Sequence, residues 1–322
     1  MPVFALQQIM VSEFIRIILE AGRAGVELGL FVVLPIMIVM LTLMRILEGW
    51  GLLDWIVDRI APLLRPFGLT GMGVFAMLQI SFVSFAGPAA ALAIMDQQGA
   101  SRKHIAATLA MVLSMAQANV IFPMAAKGLD LPVTLIFSLI SGLVGAASTW
   151  YLFSRKLPDR LEPPESLPEH PQAADTKGLI DIINHAGREA FSIVAGAIPL
   201  LVLALVLVKL LDSSGVIELL GELLAPVFQL LGVSPNLLLP VVTKYIAGGT
   251  AMMGVVSEFL RDGLISVTEF NRMAGFLIHP FDLAGVALLI SSGPRVASVF
   301  GVAVYGTLVA IAVRTCLHLL WF

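Results

Sequence analysis

The sequence predicts an all-α integral membrane protein built from two inverted repeats. Of its 322 residues, 58% are hydrophobic and only 13% are charged, whereas soluble globular domains carry about 25% charged residues. Two apolar stretches are interrupted near their middle, and the two halves of the chain share one order of elements. Each half is expected to contain a span, an interfacial helix, a re-entrant helical hairpin and two further spans.

Six apolar runs have the length needed to cross a bilayer, about 17 to 25 residues. They occupy residues 28–44, 105–124, 133–153, 191–208, 273–290 and 296–320. The first residues lack the basic region and the small-residue cleavage site of a signal peptide, so no removable signal is expected. The sequence therefore predicts a multi-pass protein in a lipid bilayer, the plasma membrane, which in a bacterium is the inner membrane.

An internal repeat relates residues 14–23, FIRIILEAGR, to residues 179–188, LIDIINHAGR. Self-similarity at a fixed separation indicates repeated structural units. After one gap, four pairs of prolines or glycines have the same separation: Pro35 with Pro199, Gly51 with Gly215, Pro62 with Pro226, and Gly68 with Gly232. The stretch between the halves is rich in proline and charge, which is typical of a solvated linker. We therefore predict a first repeat over residues 1–153, a polar linker over 154–177 and a second repeat over 178–322.

Each half contains one apolar segment that is broken in its middle, over residues 81–102 and 240–261. In hydrocarbon an unpaired backbone group costs several kcal/mol, so such a break is tolerated only where it is buried in protein or lines a wet cavity. Interrupted segments in matching positions of two halves indicate the binding site of a transporter. The residues expected at the two hairpin tips are Ser84, Gly87, Pro88, Gly248, Gly249 and Thr250.

Two topologies are compatible with this repeat. If each broken segment crosses the membrane, the repeats are parallel; if each turns back, the repeats are inverted. Loops on the cytoplasmic side carry an excess of lysine and arginine. A count of these residues, in which Arg314 is treated as a loop residue, gives nearly the same excess for the parallel and the inverted topology. Equivalent turns carry Arg45, Arg59 and Arg65 in the first half but only Lys209, beside acidic residues, in the second. This difference favours opposite membrane faces, and therefore inversion.

Polar residues interrupt the span that follows each hairpin. Gln117 and Asn119 can each donate and accept hydrogen bonds, which suits a neutral polar ligand or a contact between helices. Asp282 is the expected partner of Lys244, as a functional or a structural ion pair, because a charge inside the membrane calls for a partner. His279 stands three residues before Asp282 and is either a proton-exchanging group or a satisfied structural histidine.

The order of elements and the stretch MDQQGASRKHIAATLAMVLSMAQANVIF, residues 95–122, resemble the nucleoside-recognition, or Gate, family of membrane proteins. That family is related to the concentrative nucleoside transporters and to the membrane domain of ferrous-iron transporter B. The resemblance covers nearly the whole chain. It implies an elevator-type carrier, often a homo-oligomer, in which the hairpin tips and the broken spans hold the solute. The tips of this chain, SFAGP and AGGT, carry no carboxylate, unlike the tips of the nucleoside carriers.

Several function classes lack support in the sequence. The net charge is −3 and the basic residues are scattered, so no nucleic-acid partner is expected. The single cysteine, Cys316, cannot form an internal disulfide. Enzyme motifs and a nucleotide-binding loop are missing, so no catalytic residue, cofactor or ATP-driven step is expected. One histidine and one carboxylate fall short of the three or four ligands of a metal site.

The sequence thus predicts a secondary transporter of a small polar solute, with a nucleoside or related compound as the expectation that follows from the resemblance. The candidate substrate-binding residues are Ser84, Gly87, Gln117, Asn119, Lys244, Thr250, His279 and Asp282. Two alternatives stay open: a non-transporting membrane scaffold of the spore-maturation type, and a divalent metal-ion permease.

Overall fold

The computed structural model describes residues 3–83, 87–157 and 178–322, and the regular secondary structure in these ranges is helical. The first half contains α1 (Val3–Glu27), α2 (Leu34–Gly49), α3 (Leu52–Leu64), α4 (Gly71–Phe82), α5 (Gly87–Gln97), α6 (Arg102–Ser114), α7 (Ala118–Ala125) and α8 (Leu131–Ser148). The second half contains α9 (Leu179–Ser213), α10 (Val216–Leu231), α11 (Leu238–Arg261), α12 (Val267–Leu277), α13 (Leu283–Ile290) and α14 (Pro294–Trp321). Ser84 and most of the predicted linker lie outside the described residues.

Within the part of the chain that the structure describes, six helical segments are long and apolar enough to cross a membrane: Ser12–Leu47, Arg102–Ala125, Leu131–Phe153, Leu179–Ser213, Pro235–Arg261 and Pro294–Trp321. The first is continuous because a π-helical turn, Leu28–Val33, joins α1 to α2. Five of the six contain a predicted span. The chain is accordingly a multi-pass, all-helical membrane protein.

The span predicted over residues 273–290 is broken in its middle, as the polar residues within it indicated. α12 ends at Leu277 and α13 begins at Leu283, and Pro280 between them has no backbone N–H to continue a helix. The first half has the matching feature, because α6 ends at Ser114 and α7 begins at Ala118. Each half therefore has one broken span, α6–α7 and α12–α13.

The long helix α11 is a hairpin and not a straight span. Gly248 has φ 85° and ψ 173° inside it, a left-handed conformation that glycine adopts readily and other residues rarely. The side-chain amide of Asn236, before α11, donates a hydrogen bond to the carbonyl oxygen of Leu264, after α11, across 2.8 Å. A straight helix would hold these residues about 40 Å apart, so the chain folds back at Gly248.

The first hairpin consists of α4 and α5, which pack against each other. Gly87, at the start of α5, lies so close to α4 that an added Cβ would be 2.6 Å from Oε1 of Gln79. The first leg begins at Gly71, so the hairpin extends ten residues before the stretch 81–102 in which the sequence analysis placed it. The sequence analysis missed this leg because α4 is apolar and contains no interruption that would distinguish it from a spanning helix.

Equivalent long helices of the two halves run antiparallel. In the first pair, Arg45 near the end of α2 contacts Glu189 near the start of α9 at 2.8 Å. At the other end of this pair, Glu20 of α1 contacts Lys209 of α9 at 3.1 Å. The continuous helix formed by α1 and α2 therefore lies beside α9 and points in the opposite direction.

The last helices of the two halves, α8 and α14, have the same relationship. The ring of Phe137, near the start of α8, lies 5.2 Å from the ring of His318, near the end of α14. Phe153, after the end of α8, packs 5.4 Å from Tyr305, which is earlier in α14. α8 and α14 consequently also point in opposite directions.

Candidate functional site

The break in the second half brings a buried ion pair to the middle of the fold. Asp282 is the N-cap of α13, and its Oδ1 accepts a hydrogen bond from the backbone N–H of Gly285 at 2.8 Å. Its other oxygen, Oδ2, accepts a hydrogen bond from Nζ of Lys244, on the first leg of α11. The Lys244 side chain is 0% exposed and that of Asp282 is 4% exposed. The sequence analysis predicted this pair.

His279 is buried next to the ion pair. Its Nδ1 accepts a hydrogen bond from the backbone N–H of Phe281 at 3.2 Å. Its Nε2 is buried and has no hydrogen-bond partner among the described residues. The ring of Tyr245 links the two groups, because it lies 6.1 Å from the His279 ring and 5.5 Å from Nζ of Lys244. His279 thus carries an unused polar atom inside the protein.

The break in the first half meets the tip of the second hairpin. Asn119, at the start of α7, donates a hydrogen bond through Nδ2 to Oγ1 of Thr250 at 3.4 Å. Gly249 approaches Gln117 so closely that an added Cβ would lie 2.1 Å from Nε2 of Gln117. Four predicted residues from opposite halves are therefore neighbours in the fold.

Arg314 of α14 connects the broken spans of both halves. This fully buried side chain donates to the carbonyl oxygen of Gly275 through Nε at 3.0 Å and Nη2 at 2.8 Å. It also donates to the carbonyl oxygen of Ile278 and, through Nη1, to that of Ser114 at 2.7 Å. A cation is favourable at the C-terminal end of a helix, where carbonyl groups lack partners. Arg314 stabilises the ends of α6 and α12 together.

The sequence analysis was wrong to treat Arg314 as a loop residue. One signal was available, since Arg314 lies inside the predicted span 296–320, and a charge within a span indicates a buried partner. The partners are main-chain carbonyl groups, which leave no pattern in the side chains.

The first hairpin approaches the same region from the other side. Gly87 and Pro88 start α5, and α5 packs against both α13 and α14. Gln79 of α4 lies beside Gly87, and the sequence analysis did not single it out. Ser84 lies outside the described residues. Along the described chain, the polar groups brought together are therefore those of α6–α7, α11 and α12–α13.

The fold is similar to that of solved structures of the concentrative nucleoside transporter CNTnw. Its inward-facing, substrate-bound structure has a TM-score of 0.67 at 16% identity, covering 99% of this chain and 86% of that one. An outward-facing structure of a CNTnw variant has a TM-score of 0.66 at 15% identity, covering 98% and 85%. An intermediate-state structure of another variant has a TM-score of 0.68 at 16% identity, covering 96% and 86%.

No curated protein sequence matches the chain significantly. The model of the Gate family, described as nucleoside recognition, matches residues 30–128 and 194–311. These two blocks make up more than half of the chain and contain both hairpins and both broken spans. The chain therefore belongs to the Gate family of nucleoside-recognition membrane proteins.

Proposed function

We propose that the protein is a secondary transporter of a small polar solute, with nucleosides and related bases as the first class to test. One observation carries this proposal: the hydrogen bond between Asn119 and Thr250 at 3.4 Å. It joins a broken span of one half to a hairpin tip of the other, and half-helix ends at such a junction form the binding sites of many transporters.

The surrounding groups support a site for a polar solute. Gln117 and Asn119 are amides that donate and accept hydrogen bonds, and both are buried. Lys244, His279 and Asp282 supply charge and a further polar atom next to the second broken span. The family description and the substrate-bound state of CNTnw point to the same use of this fold.

Two features support an inverted repeat and an elevator-type movement. The equivalent helices at the start and the end of each half run antiparallel. A cavity of about 800 Å³ is lined by residues of α1, α9, the second leg of α11 and the end of α7. CNTnw and its variants have been solved in inward-facing, intermediate and outward-facing states, which supports a transporter that changes conformation.

We propose that this cavity forms part of the route between the site and one membrane surface. Pro123 and Met124 of α7, together with Met253 and Gly254 of α11, line it. These residues lie about one helical turn beyond Asn119 and Thr250 on the same two helices. Separation of Asn119 from Thr250 would therefore open the buried polar groups to the cavity.

The alternatives have less support. Among the described residues, no three His, Cys, Asp or Glu side chains come together as a group able to hold a metal ion. These residues therefore give no support to the hypothesis of a metal-ion permease. A scaffold protein does not account for an unpartnered buried His279. We also propose a homo-oligomer and, for a bacterial source, a location in the inner membrane.

Uptake into proteoliposomes tests the proposed function. Proteoliposomes that contain the purified protein should take up radiolabelled uridine, uracil or a charged derivative of either faster than empty vesicles do. The uptake rate is measured with and without proton and sodium gradients. Asn119→Leu and Thr250→Val should lower the uptake rate by about tenfold, the effect of one lost polar contact to solute. Thr42→Val is the matched control, because the Thr42 hydroxyl has no described hydrogen-bond partner. Wild-type rates equal to those of empty vesicles for every probe would refute transport.

A further inference from the structure

We propose that the site takes an anionic solute, one that presents a carboxylate or phosphate group to Lys244 and His279. This inference rests on the proposed function and narrows its substrate class. With histidine rings counted as neutral, the buried charged side chains among the described residues are Lys244, Asp282 and Arg314. The three residues between α4 and α5, Ser-Phe-Ala, include no charged side chain. The buried site therefore has one positive charge in excess.

Lys244, and not Arg314, has hydrogen-bond donors left for a solute. The guanidinium of Arg314 donates to the carbonyl oxygens of Ser114, Gly275 and Ile278. The ammonium of Lys244 has three N–H donors, and its hydrogen-bond acceptor among the described residues is Asp282. A buried charge is costly unless it is paired and hydrogen-bonded, so Lys244 can accommodate a further acceptor.

A cationic solute would have to share the carboxylate of Asp282 with Lys244 or displace Lys244 from it. One of its oxygens accepts the Gly285 backbone N–H, and the other accepts Lys244. A cation entering the site would also meet Lys244 and Arg314, two charges of the same sign as its own. The charge balance therefore favours an anion over a cation.

His279 provides the second, independent observation. With Nδ1 as the acceptor of the Phe281 backbone N–H, we assign the proton of the neutral ring to Nε2. Nε2 is buried and has no described partner, so it is a donor without an acceptor. Lys244 and His279 each have an N–H group that can donate a further hydrogen bond. A solute that completes this site must bring acceptor atoms, and negative charge on them strengthens both hydrogen bonds.

Matched pairs of neutral and anionic probes test the inference. Orotate is uracil with a carboxylate at C6, and uridine 5′-monophosphate is uridine with a phosphate. Isothermal titration of the purified wild-type protein should show that the anionic member of at least one pair binds about tenfold or more tightly than the neutral member. In the double variant Lys244→Gln/Asp282→Asn, which lacks the ammonium donor, this preference should fall below about tenfold, whereas Thr42→Val should retain it.

Each outcome separates this inference from the proposed function. If uracil or uridine is bound and transported while its anionic counterpart binds no more tightly, the anion proposal is wrong and the transporter proposal stands. A preference for the anion that is undiminished in the folded double variant would also overturn it. If the double variant does not fold, the wild-type comparison decides alone. If no probe is bound or transported, both proposals fall.

Discussion

Arg314 donates a hydrogen bond across 2.7 Å to the carbonyl oxygen of Ser114, a residue that precedes it by 200 positions. Through its other nitrogens the same guanidinium holds the carbonyl oxygen of Gly275. One buried side chain thereby fixes the ends of α6 and α12, the helices that lead into the two breaks. The geometry of the site depends on this contact.

Arg314→Met should destabilise the protein strongly. The variant leaves three buried carbonyl groups with fewer partners, and each unsatisfied group costs about 1 to 3 kcal/mol. Thermal unfolding of the purified protein should show a large fall in Tm. Arg261→Met, at an exposed position, is the control and should change Tm little. An unchanged Tm for Arg314→Met would contradict the assigned role.

Lys244 and Asp282 should behave as a coupled pair. Lys244→Met or Asp282→Asn alone leaves a buried charge without its partner, which costs about 3 to 5 kcal/mol. The double variant Lys244→Met/Asp282→Asn should recover a large part of this loss, because it removes both charges. Chemical denaturation of all four proteins gives the coupling energy. Strictly additive losses would show that the two charges do not interact.

Gly275 and Gly301 make a matched pair of helix glycines. An added Cβ at Gly275 would lie 2.6 Å from the main-chain oxygen of Arg314, whereas one at Gly301 would meet no atom within 4 Å. Gly275→Ala should therefore force α12 away from α14 and lower Tm, and Gly301→Ala should leave Tm unchanged or slightly higher. Equal effects of the two substitutions would contradict the close packing of α12 on α14.

Cysteine cross-linking tests whether α11 is a hairpin. In a Cys316→Ser background, the double variant Asn236→Cys/Leu264→Cys should be joined by a short bifunctional maleimide, because the Asn236 side chain contacts the Leu264 carbonyl oxygen at 2.8 Å and brings the two ends of α11 together. Peptide mapping by mass spectrometry would detect the linked peptides. The control pair Asn236→Cys/Thr250→Cys, which joins one end of α11 to its tip, should not cross-link. Failure of the first pair to link would favour a straight α11.

The sequence predicted the breaks well because their causes are local. Gly248 needs a conformation that glycine adopts, and Pro280 cannot continue a helix, so both leave a visible signature. The pair of Lys244 with Asp282 was predictable because an isolated intramembrane charge requires a partner. The first leg of the first hairpin and the role of Arg314 were not predicted. α4 has no break of its own, and Arg314 contacts main-chain atoms of distant residues, which no side-chain pattern reveals.

The most direct test of the central claim is the reactivity of a thiol placed at the junction of the two halves. In proteoliposomes, Thr250→Cys in the Cys316→Ser background should react with a membrane-impermeant maleimide as the transporter cycles. Saturating uridine or orotate, whichever is taken up, should slow this reaction by about tenfold or more, because bound solute covers the site. A thiol at position 250 that never reacts, or that reacts at a rate no transported solute changes, would contradict a solute site between Asn119 and the tip of α11.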